Sequence, residues 1–363
     1  MKEGSQDERM MDRAFFHAAR GRGRTSPNPL VGAVVVSPAG VIVGQGYHER
    51  AGEPHAEVRA LAEAGASARG ATLYCSLEPC CHQGRTGPCV ARIVETGVAR
   101  VVAAAEDPNP MVSGRGFAFL RDHGIKVDVG LGARTAVALN RPFFTLMQEG
   151  RPFVVLKAAT SLDGRIAETR GRRTPLTSAA ANRHAHRVRA EIDAIGVGAG
   201  TILTDDPALT ARGVYRERPL MRVIFDRRLR TPPSAHVLST RDVGPVIIVT
   251  TDAAAARGDL RTPLEDRGAE IEVAGPTFRS ALRRLGARQV GSLLLEGGAA
   301  LHAAAWDEGL VDFVRLYVTP RVLGPAGVPL LLDRPFRSAE LRDRRVEPLG
   351  PDVLIEGYVH RSG

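Results

Sequence analysis

The sequence has 363 residues, of which 44% are hydrophobic, so it is too long for one ordinary core and long enough for two globular domains. Its longest apolar runs, such as residues 31–36, have the length of a strand, which argues against a membrane span. Residues 1–13 are polar, which argues against a secretory signal. We therefore expect a cytoplasmic protein. The formal charge of +9 comes from arginines scattered along the chain, since only three of its 49 basic residues are lysines, and this favours a basic surface over a nucleic-acid-binding stripe.

In the first half of the chain, segments with helical spacing of apolar residues alternate with strand-like segments. The pattern predicts helices over residues 8–20, 55–64, 90–96, 116–123 and 133–148. It predicts strands over residues 30–37, 40–46, 71–76, 98–105 and 125–129. This alternation indicates a mainly parallel sheet that is covered by helices on both faces.

The second half begins after residues 149–152, Glu-Gly-Arg-Pro, where Gly and Pro end the last helix. We therefore predict two domains, residues 1–150 and 151–363. The second domain repeats the alternation, with predicted strands over residues 153–159, 194–198, 221–226, 246–250, 292–296 and 313–319. Its predicted helices cover residues 178–191, 277–285 and 299–308. It is a second α/β domain.

A cluster of metal-binding residue types stands out in the first domain. The four cysteines all lie in one short segment, as Cys75, Cys80, Cys81 and Cys89. Without an export signal, such a cluster favours a metal over disulfides. His55, Cys80 and Cys89 would fill three of the four tetrahedral positions of zinc and leave one for water, as a catalytic site requires. Glu57, two residues after His55, could then move a proton between that water and a leaving nitrogen.

The alternative is a closed structural site, in which Cys81 or Cys75 is the fourth ligand and Glu57 only stabilises the start of a helix. Such a site has no need of an acid beside its histidine. Cys80 and Cys81 are adjacent, so both could bind one metal only with a distorted backbone. Cys75 falls in a predicted strand, where a small buried side chain is expected. We therefore favour the open, catalytic site.

Residues 77–89, Leu-Glu-Pro-Cys-Cys-His-Gln-Gly-Arg-Thr-Gly-Pro-Cys, resemble the deaminase half of bifunctional riboflavin-biosynthesis enzymes, in which eight residues separate the two zinc cysteines. Ser-Pro-Asn-Pro-Leu-Val-Gly at 26–32, and Asp-Pro-Asn-Pro and Gly-Arg-Gly within 107–116, agree with this family. The sequence departs from it at Cys81, where Ser is usual, and at Gly87, where Pro is frequent. The resemblance implies a cytidine-deaminase-like, three-layer αβα domain with one zinc ion per chain. It also implies site residues: His55, Cys80 and Cys89 as zinc ligands, Glu57 as proton shuttle, Asn28 and His48 at the pyrimidine, and Arg85 near the ribose phosphate.

Three segments of the second half, residues 157–167, 201–212 and 296–298, have the order and spacing of the reductase half of the same family. A glycine-rich run at 196–200 lacks the spacing of the dinucleotide fingerprint. The resemblance implies a dihydrofolate-reductase-like αβα domain that transfers hydride from NADPH to C1′ of a ring-opened ribose. The resemblance places Lys157 and Asp205 at the reacting sugar. It places Arg189, Leu209, Arg212 and Glu296 at the substrate, and the two arginines among them at its phosphate. The residues it implies at the cofactor are Ala159, Thr201, Asp205, Gly297 and Gly298.

Two of these assignments have alternatives from the residues alone. Lys157 is one of only three lysines, but a lysine on an exposed edge strand would be ordinary. Gly297 and Gly298 could let a diphosphate approach a helix N-terminus, or could form a tight packing turn. Pro175 also departs from the family, which often has an aromatic residue there beside the nicotinamide.

The interpretation is a bifunctional enzyme that deaminates 2,5-diamino-6-(5-phosphoribosylamino)pyrimidin-4(3H)-one and then reduces the ribosyl group of the product, 5-amino-6-(5-phosphoribosylamino)uracil. Its partners would be this small phosphorylated pyrimidine and further copies of the chain, with no nucleic acid and no membrane. One alternative is a zinc polynucleotide deaminase with an RNA-binding C-terminal half, against which stand 5% aromatic residues and the cysteine spacing. Another is a zinc-stabilised interaction protein in which Glu57 is dispensable.

Overall fold

The computed structural model describes residues 5–83, 87–332, 336–337 and 341–359. The chain divides into two compact units, Met1–Gly150 and Arg151–Gly363. Within the described ranges, no helix has both the length and the apolar character needed to cross a bilayer.

The first unit contains one five-stranded sheet and six α-helices among its described residues. The helices are α1 (Gln6–Ala19), α2 (Ala56–Ala64), α3 (Cys89–Thr96), α4 (Arg115–Asp122), α5 (Ala133–Leu139) and α6 (Arg141–Glu149). The strands are β1 (Gly32–Val36), β2 (Ile42–Tyr47), β3 (Thr72–Cys75), β4 (Arg100–Ala103) and β5 (Lys126–Val129). The strand order is β2-β1-β3-β4-β5.

The expectation of a mainly parallel sheet is wrong for this unit. Strand β1 pairs antiparallel with both β2 and β3, while β3, β4 and β5 are parallel. The turn between β1 and β2 is too short for a crossover, so these two strands can only form an antiparallel hairpin.

Helices cover both faces of this sheet, and β1 shows how. All five of its residues are buried. Val35 belongs to the cluster that includes α2, α3 and α4, whereas Val34 belongs to the cluster that includes α1, α5 and α6. Because successive side chains of a strand point to opposite faces, the unit has three layers, αβα.

Two glycines of β2 allow α2 to pack directly on the strand. A Cβ atom at Gly44 would lie 2.1 Å from the carbonyl oxygen of Ala60, and one at Gly46 would lie 2.6 Å from that of Ala56. Any larger residue would push the helix away. This close approach fixes the first turn of α2, which carries His55 and Glu57.

The single helix predicted over residues 133–148 is two helices that meet at Asn140. The Asn140 side chain accepts a hydrogen bond from the amide of Leu30 at 2.7 Å and donates one to its carbonyl at 3.0 Å. The pattern of apolar residues did not reveal this break, although Pro142, in the first turn of α6, is a local signal for it.

The second unit contains a nine-stranded sheet, a two-stranded sheet and seven α-helices among its described residues. The helices are α7 (Ala179–Glu191), α8 (Ala199–Asp205), α9 (His236–Ser239), α10 (Asp252–Ala255), α11 (Gly258–Asp266), α12 (Phe278–Ala287) and α13 (Ala299–Asp307). The strands are β6 (Phe153–Thr160), β7 (Arg165–Ala167), β8 (Ala194–Gly198), β9 (Met221–Phe225), β10 (Val246–Thr250), β11 (Ala269–Val273), β12 (Ser292–Leu295), β13 (Phe313–Val318), β14 (Val328–Pro329), β15 (Arg342–Leu349) and β16 (Asp352–Tyr358).

The large sheet has the order β11-β10-β9-β8-β12-β6-β13-β16-β15, and β7 pairs with β14. Its strands are parallel except for β16 and β15, which add an antiparallel edge. Neighbouring residues of β10 belong to different cores: Ile247 packs with α12, and Ile248 packs with α8, α9 and α11. This unit is therefore also a three-layer αβα structure. Strands β7, β11, β14, β15 and β16 and helices α8 to α11 were not predicted. Strand β15, for example, is polar and exposed along almost its whole length, so it lacks an apolar pattern.

Candidate active sites

The three predicted zinc ligands meet at the start of α2 and α3. His55 is the N-cap residue of α2, Cys80 lies in the loop after β3, and Cys89 is the first residue of α3. The Nδ1 atom of His55 lies 3.2 Å from the sulfur of Cys89 and 3.4 Å from that of Cys80, and the two sulfurs are 3.4 Å apart. Ligand atoms around a tetrahedral zinc are separated by roughly 3.5 Å or slightly more, so the three atoms fit one zinc ion.

The other cysteines lie apart from this cluster. The Cys81 sulfur contacts the carbonyl oxygen of Met111 at 3.7 Å, and Cys75 is fully buried in β3. No fourth His, Cys, Asp or Glu joins the cluster among the residues that the structure describes. The geometry therefore favours the open site over the closed one. A hydrogen bond with the Cys89 thiol lowers the pKa of Cys80, which favours the thiolate form that binds metals.

Glu57 lies in the first turn of α2 with only 3% of its surface exposed. Its Oε2 atom is buried and has no hydrogen-bond partner within the described ranges. Burial raises the pKa of this carboxyl group. A buried carboxylate oxygen without a hydrogen-bond partner destabilises a folded protein. Its presence beside three zinc ligands therefore fits a site in which this oxygen binds a metal-bound water.

Asn28 and His48 form a second pair beside the zinc ligands. The Asn28 amide nitrogen lies 3.2 Å from Nε2 of His48, and the His48 ring packs edge-on against His55 with centroids 5.2 Å apart. Burial lowers the pKa of His48 to about 4, so its ring is neutral at physiological pH. The pair can thus offer uncharged hydrogen-bonding groups to a heterocyclic base. Arg85, predicted near the ribose phosphate, lies outside the described residues.

Sequence reasoning missed the residue that organises the zinc loop. The Glu78 carboxylate is buried and accepts four backbone N–H hydrogen bonds of 2.9 to 3.2 Å, from Asp107, Gly114, Gly116 and Phe117. It thereby joins the loop that carries Cys80 to the N-terminus of α4. Gly116 permits this approach, because a Cβ atom there would lie 2.2 Å from the Pro79 carbonyl oxygen. Glu78 lies next to the zinc cysteines in sequence, but its hydrogen-bond partners belong to a segment about 30 to 40 residues away and could not be identified from one sequence.

The second unit contains a cavity of about 940 Å³ at the ends of β6, β8 and β12. All ten residues predicted for the reductase line it: Lys157, Ala159, Arg189, Thr201, Asp205, Leu209, Arg212, Glu296, Gly297 and Gly298. Residues that were not predicted as binding residues also line it, among them Arg173, Pro175, Asn182 and the buried His302. The Pro175 carbonyl oxygen accepts a hydrogen bond from Arg321.

A buried cluster of charges forms one wall of this cavity. Arg189 donates to both carboxylate oxygens of Glu296, at 2.8 and 2.7 Å, and Lys157 Nζ lies 3.5 Å from the same carboxylate. These two cations hold the pKa of Glu296 well below its usual range despite its burial. Lys157 lies on β6, in the middle of the sheet, so the alternative of an exposed edge lysine is wrong.

The remaining predicted residues have distinct surroundings. Burial raises the pKa of Asp205, at the end of α8. A Cβ atom at Gly297 would lie 2.6 Å from Leu301, whereas at Gly298 it would meet nothing nearer than 3.9 Å. Gly297 therefore serves a tight packing turn, and Gly298, the N-cap residue of α13, leaves the helix N-terminus open toward the cavity.

Two family models match the chain. The cytidine and deoxycytidylate deaminase zinc-binding region matches residues 4–105, and the RibD C-terminal domain matches residues 152–355. The predicted pair of αβα domains, one cytidine-deaminase-like and one reductase, is confirmed. The fold and the sites define a zinc-dependent deaminase fused to a reductase.

Relatives extend this match over nearly the whole chain. The sequence is 41% identical to riboflavin biosynthesis protein RibD of Aquifex aeolicus over 96% of this chain and 97% of the relative, and 39% identical to RibD of Escherichia coli over 96% and 98%. Among solved structures, RibD of Acinetobacter baumannii has a TM-score of 0.87 and 36% identity, covering 97% of this chain and 98% of the other. The chain belongs to the RibD family of riboflavin biosynthesis proteins. It is a bifunctional deaminase and reductase, and the polynucleotide-deaminase alternative receives no support.

Proposed function

We propose that the chain deaminates 2,5-diamino-6-(5-phosphoribosylamino)pyrimidin-4(3H)-one and then reduces 5-amino-6-(5-phosphoribosylamino)uracil with NADPH. A solved relative from Thermotoga maritima, 34% identical with a TM-score of 0.83, carries the name diaminohydroxyphosphoribosylaminopyrimidine deaminase/5-amino-6-(5-phosphoribosylamino)uracil reductase. The observation that carries the proposal is the buried Glu57 carboxylate beside three zinc ligands, whose Oε2 has no hydrogen-bond partner in the part of the chain that the structure describes.

In the first unit, His55, Cys80 and Cys89 would hold one zinc ion per chain. Zinc bound there would supply an activated water. The Glu57 Oε2 atom would accept a proton from the attacking water and return it to the departing amino nitrogen. Because its pKa is raised by burial, Glu57 can both accept and give up this proton. The neutral His48 ring and the Asn28 amide hold the pyrimidine by hydrogen bonds.

In the second unit, Lys157 and Asp205 lie at the reacting sugar. NADPH supplies the hydride. Glu296 accepts hydrogen bonds from Arg189 and contacts Lys157, so it fixes both cations at the cavity wall. Arg189 and Arg212 attract the substrate phosphate. Donors of Arg189 already bind Glu296 and the Thr210 carbonyl, which leaves Arg212 as the freer phosphate ligand.

The proposal assigns deamination to residues 1–150 and reduction to residues 151–363, with Ala159, Thr201, Gly297 and Gly298 along the cofactor and Leu209 at the substrate. We further propose that the chain forms a homo-oligomer, acts in the cytoplasm, and binds small molecules but no nucleic acid.

Mixing two inactive variants tests this division of labour. Glu57→Gln should lack only deamination, and Lys157→Met should lack only reduction. Each variant alone should then fail to form the ribitylamino product from the diaminopyrimidine, whereas an equimolar mixture should form it. If each variant retains its other activity but the mixture forms no product, the claim that two independent sites act on a released intermediate is contradicted.

A further inference from the structure

The loop between α8 and β9 carries two of the proposed substrate residues, and one of them, Leu209, has an unfavourable backbone conformation. Leu209 is buried and has a φ of +53°, which side-chain-bearing residues rarely adopt. Arg212 follows three residues later, with its side chain at the cavity. Residues 206–212 belong to no helix or strand. Contacts from outside the loop must therefore maintain its conformation.

Helix α7 provides two such contacts, one on each side of Ala211. Arg189 donates from Nη1 to the carbonyl oxygen of Thr210 at 2.8 Å. The backbone N–H of Arg212 donates to Nδ1 of His186 at 3.1 Å. His186 and Arg189 are three residues apart and therefore lie on the same face of α7. Together they bind the loop backbone much as a neighbouring strand would.

The electrostatic surroundings of His186 favour its neutral form, which is the form that can accept a hydrogen bond from the Arg212 amide. Burial and the positive charges of Arg189 and Arg212 lower the pKa of His186, outweighing the Thr210 carbonyl and Glu296, which act in the opposite direction. The neutral ring can accept at Nδ1 only when its proton is on Nε2. Hence the Arg212 amide selects one tautomer of a neutral imidazole.

We propose that His186 is a positioning residue for the substrate phosphate in the reductase unit. It fixes the backbone of Arg212, so that the guanidinium group is held at the cavity before substrate arrives. This inference rests on the proposed function, in which Arg212 binds that phosphate. His186 acts through Arg212 and touches no reacting atom, so its contribution lies in substrate affinity and not in the hydride-transfer step.

Two substitutions separate the hydrogen bond from the size of the side chain. In His186→Leu the bulk is kept and the acceptor is lost. In His186→Asn the amide oxygen stands as many bonds from Cβ as Nδ1 does, so it can accept from Arg212. Arg183→Leu is the matched control, since Arg183 is an exposed residue of the same helix.

The assay is steady-state NADPH oxidation by the full-length protein with 5-amino-6-(5-phosphoribosylamino)uracil. His186→Leu should raise the KM for this substrate about three- to tenfold, the usual effect of one neutral hydrogen bond, with kcat and the KM for NADPH unchanged. His186→Asn should recover most of the affinity, and Arg183→Leu should behave as the wild type. Hydrogen exchange at the Arg212 amide should be faster in the Leu variant alone.

Arg212→Ala distinguishes the failure of this inference from that of the proposed function. If Arg212→Ala raises the KM and His186→Leu does not, His186 has no positioning role while the phosphate role of Arg212 stands. If Arg212→Ala leaves the KM unchanged, the phosphate role itself is wrong, and the inference falls with it. Equal effects of the Leu and Asn variants would also overturn the inference, because the acceptor would then be irrelevant.

Discussion

Glu296→Gln should strongly destabilise the reductase unit, because it removes a buried negative charge that faces two cations. The side chain of Glu296 is 7% exposed, and those of Lys157 and Arg189 are each 16% exposed. Breaking a buried ion pair from one side typically costs about 3 to 5 kcal/mol. Gln keeps part of the hydrogen bonding, and the cavity lets water reach the cations, so we expect a loss of about 2 to 4 kcal/mol in the free energy of unfolding.

Thermal unfolding with and without NADPH is the assay. The transition that NADPH raises belongs to the unit that binds it. For a unit of this size the loss corresponds to a decrease of about 5 to 15 °C in that transition. The control is Glu265→Gln, the same chemical change in an exposed pair with Arg261, which should shift the transition very little. Similar, small shifts in both variants would refute the argument that the buried cluster stabilises this unit.

Three further predictions concern the first unit. Cys89→Ser should abolish stoichiometric zinc in the purified protein, measured by elemental analysis, whereas Cys81→Ser should retain it; equal zinc in both would contradict the ligand assignment. Gly116→Ala should also lower zinc content, because its Cβ would lie 2.2 Å from a carbonyl oxygen of the zinc loop; a full complement of zinc would show that the loop adapts. Asp7→Asn should reduce stability at pH 7 by no more than about 1 kcal/mol, because a hydrogen bond from Arg100 lowers the pKa of the partly exposed Asp7. The stabilisation from a lowered pKa is present above the ordinary value of 3.8 and is lost as pH falls through the lower folded value. Urea unfolding should therefore show a deficit that is nearly constant from pH 7 to about pH 5 and that shrinks below about pH 4, and a deficit that grows there would contradict this reasoning.

The residues that chemistry requires at fixed spacing were predictable. His55, Cys80 and Cys89 were selected by the ligand preferences of zinc, and the structure brings their ligand atoms within 3.4 Å of one another. The α/β alternation gave most helices and strands within a few residues. Such features depend on local pattern, which one sequence contains in full.

The features that depend on long-range contacts were not predictable. The hydrogen bonds of Asn140 join it to Leu30, 110 residues away, although Pro142 marks the helix break itself locally. The bonds of Glu78 and the pairing of Arg189 with Glu296 join segments whose neighbourhood appears only after folding. The antiparallel pairing of β1 with β3 is likewise a matter of topology, which periodicity does not encode.

The most direct test of two successive activities in one chain is a single reaction that records two signals. Purified protein with zinc receives the diaminopyrimidine ribosyl phosphate, ammonia release is followed, and NADPH is then added while its absorbance is monitored. The account predicts ammonia release that is lost in Glu57→Gln, and NADPH oxidation only after deamination. Zinc-loaded protein that releases no ammonia, or NADPH oxidation that precedes it, would contradict the account.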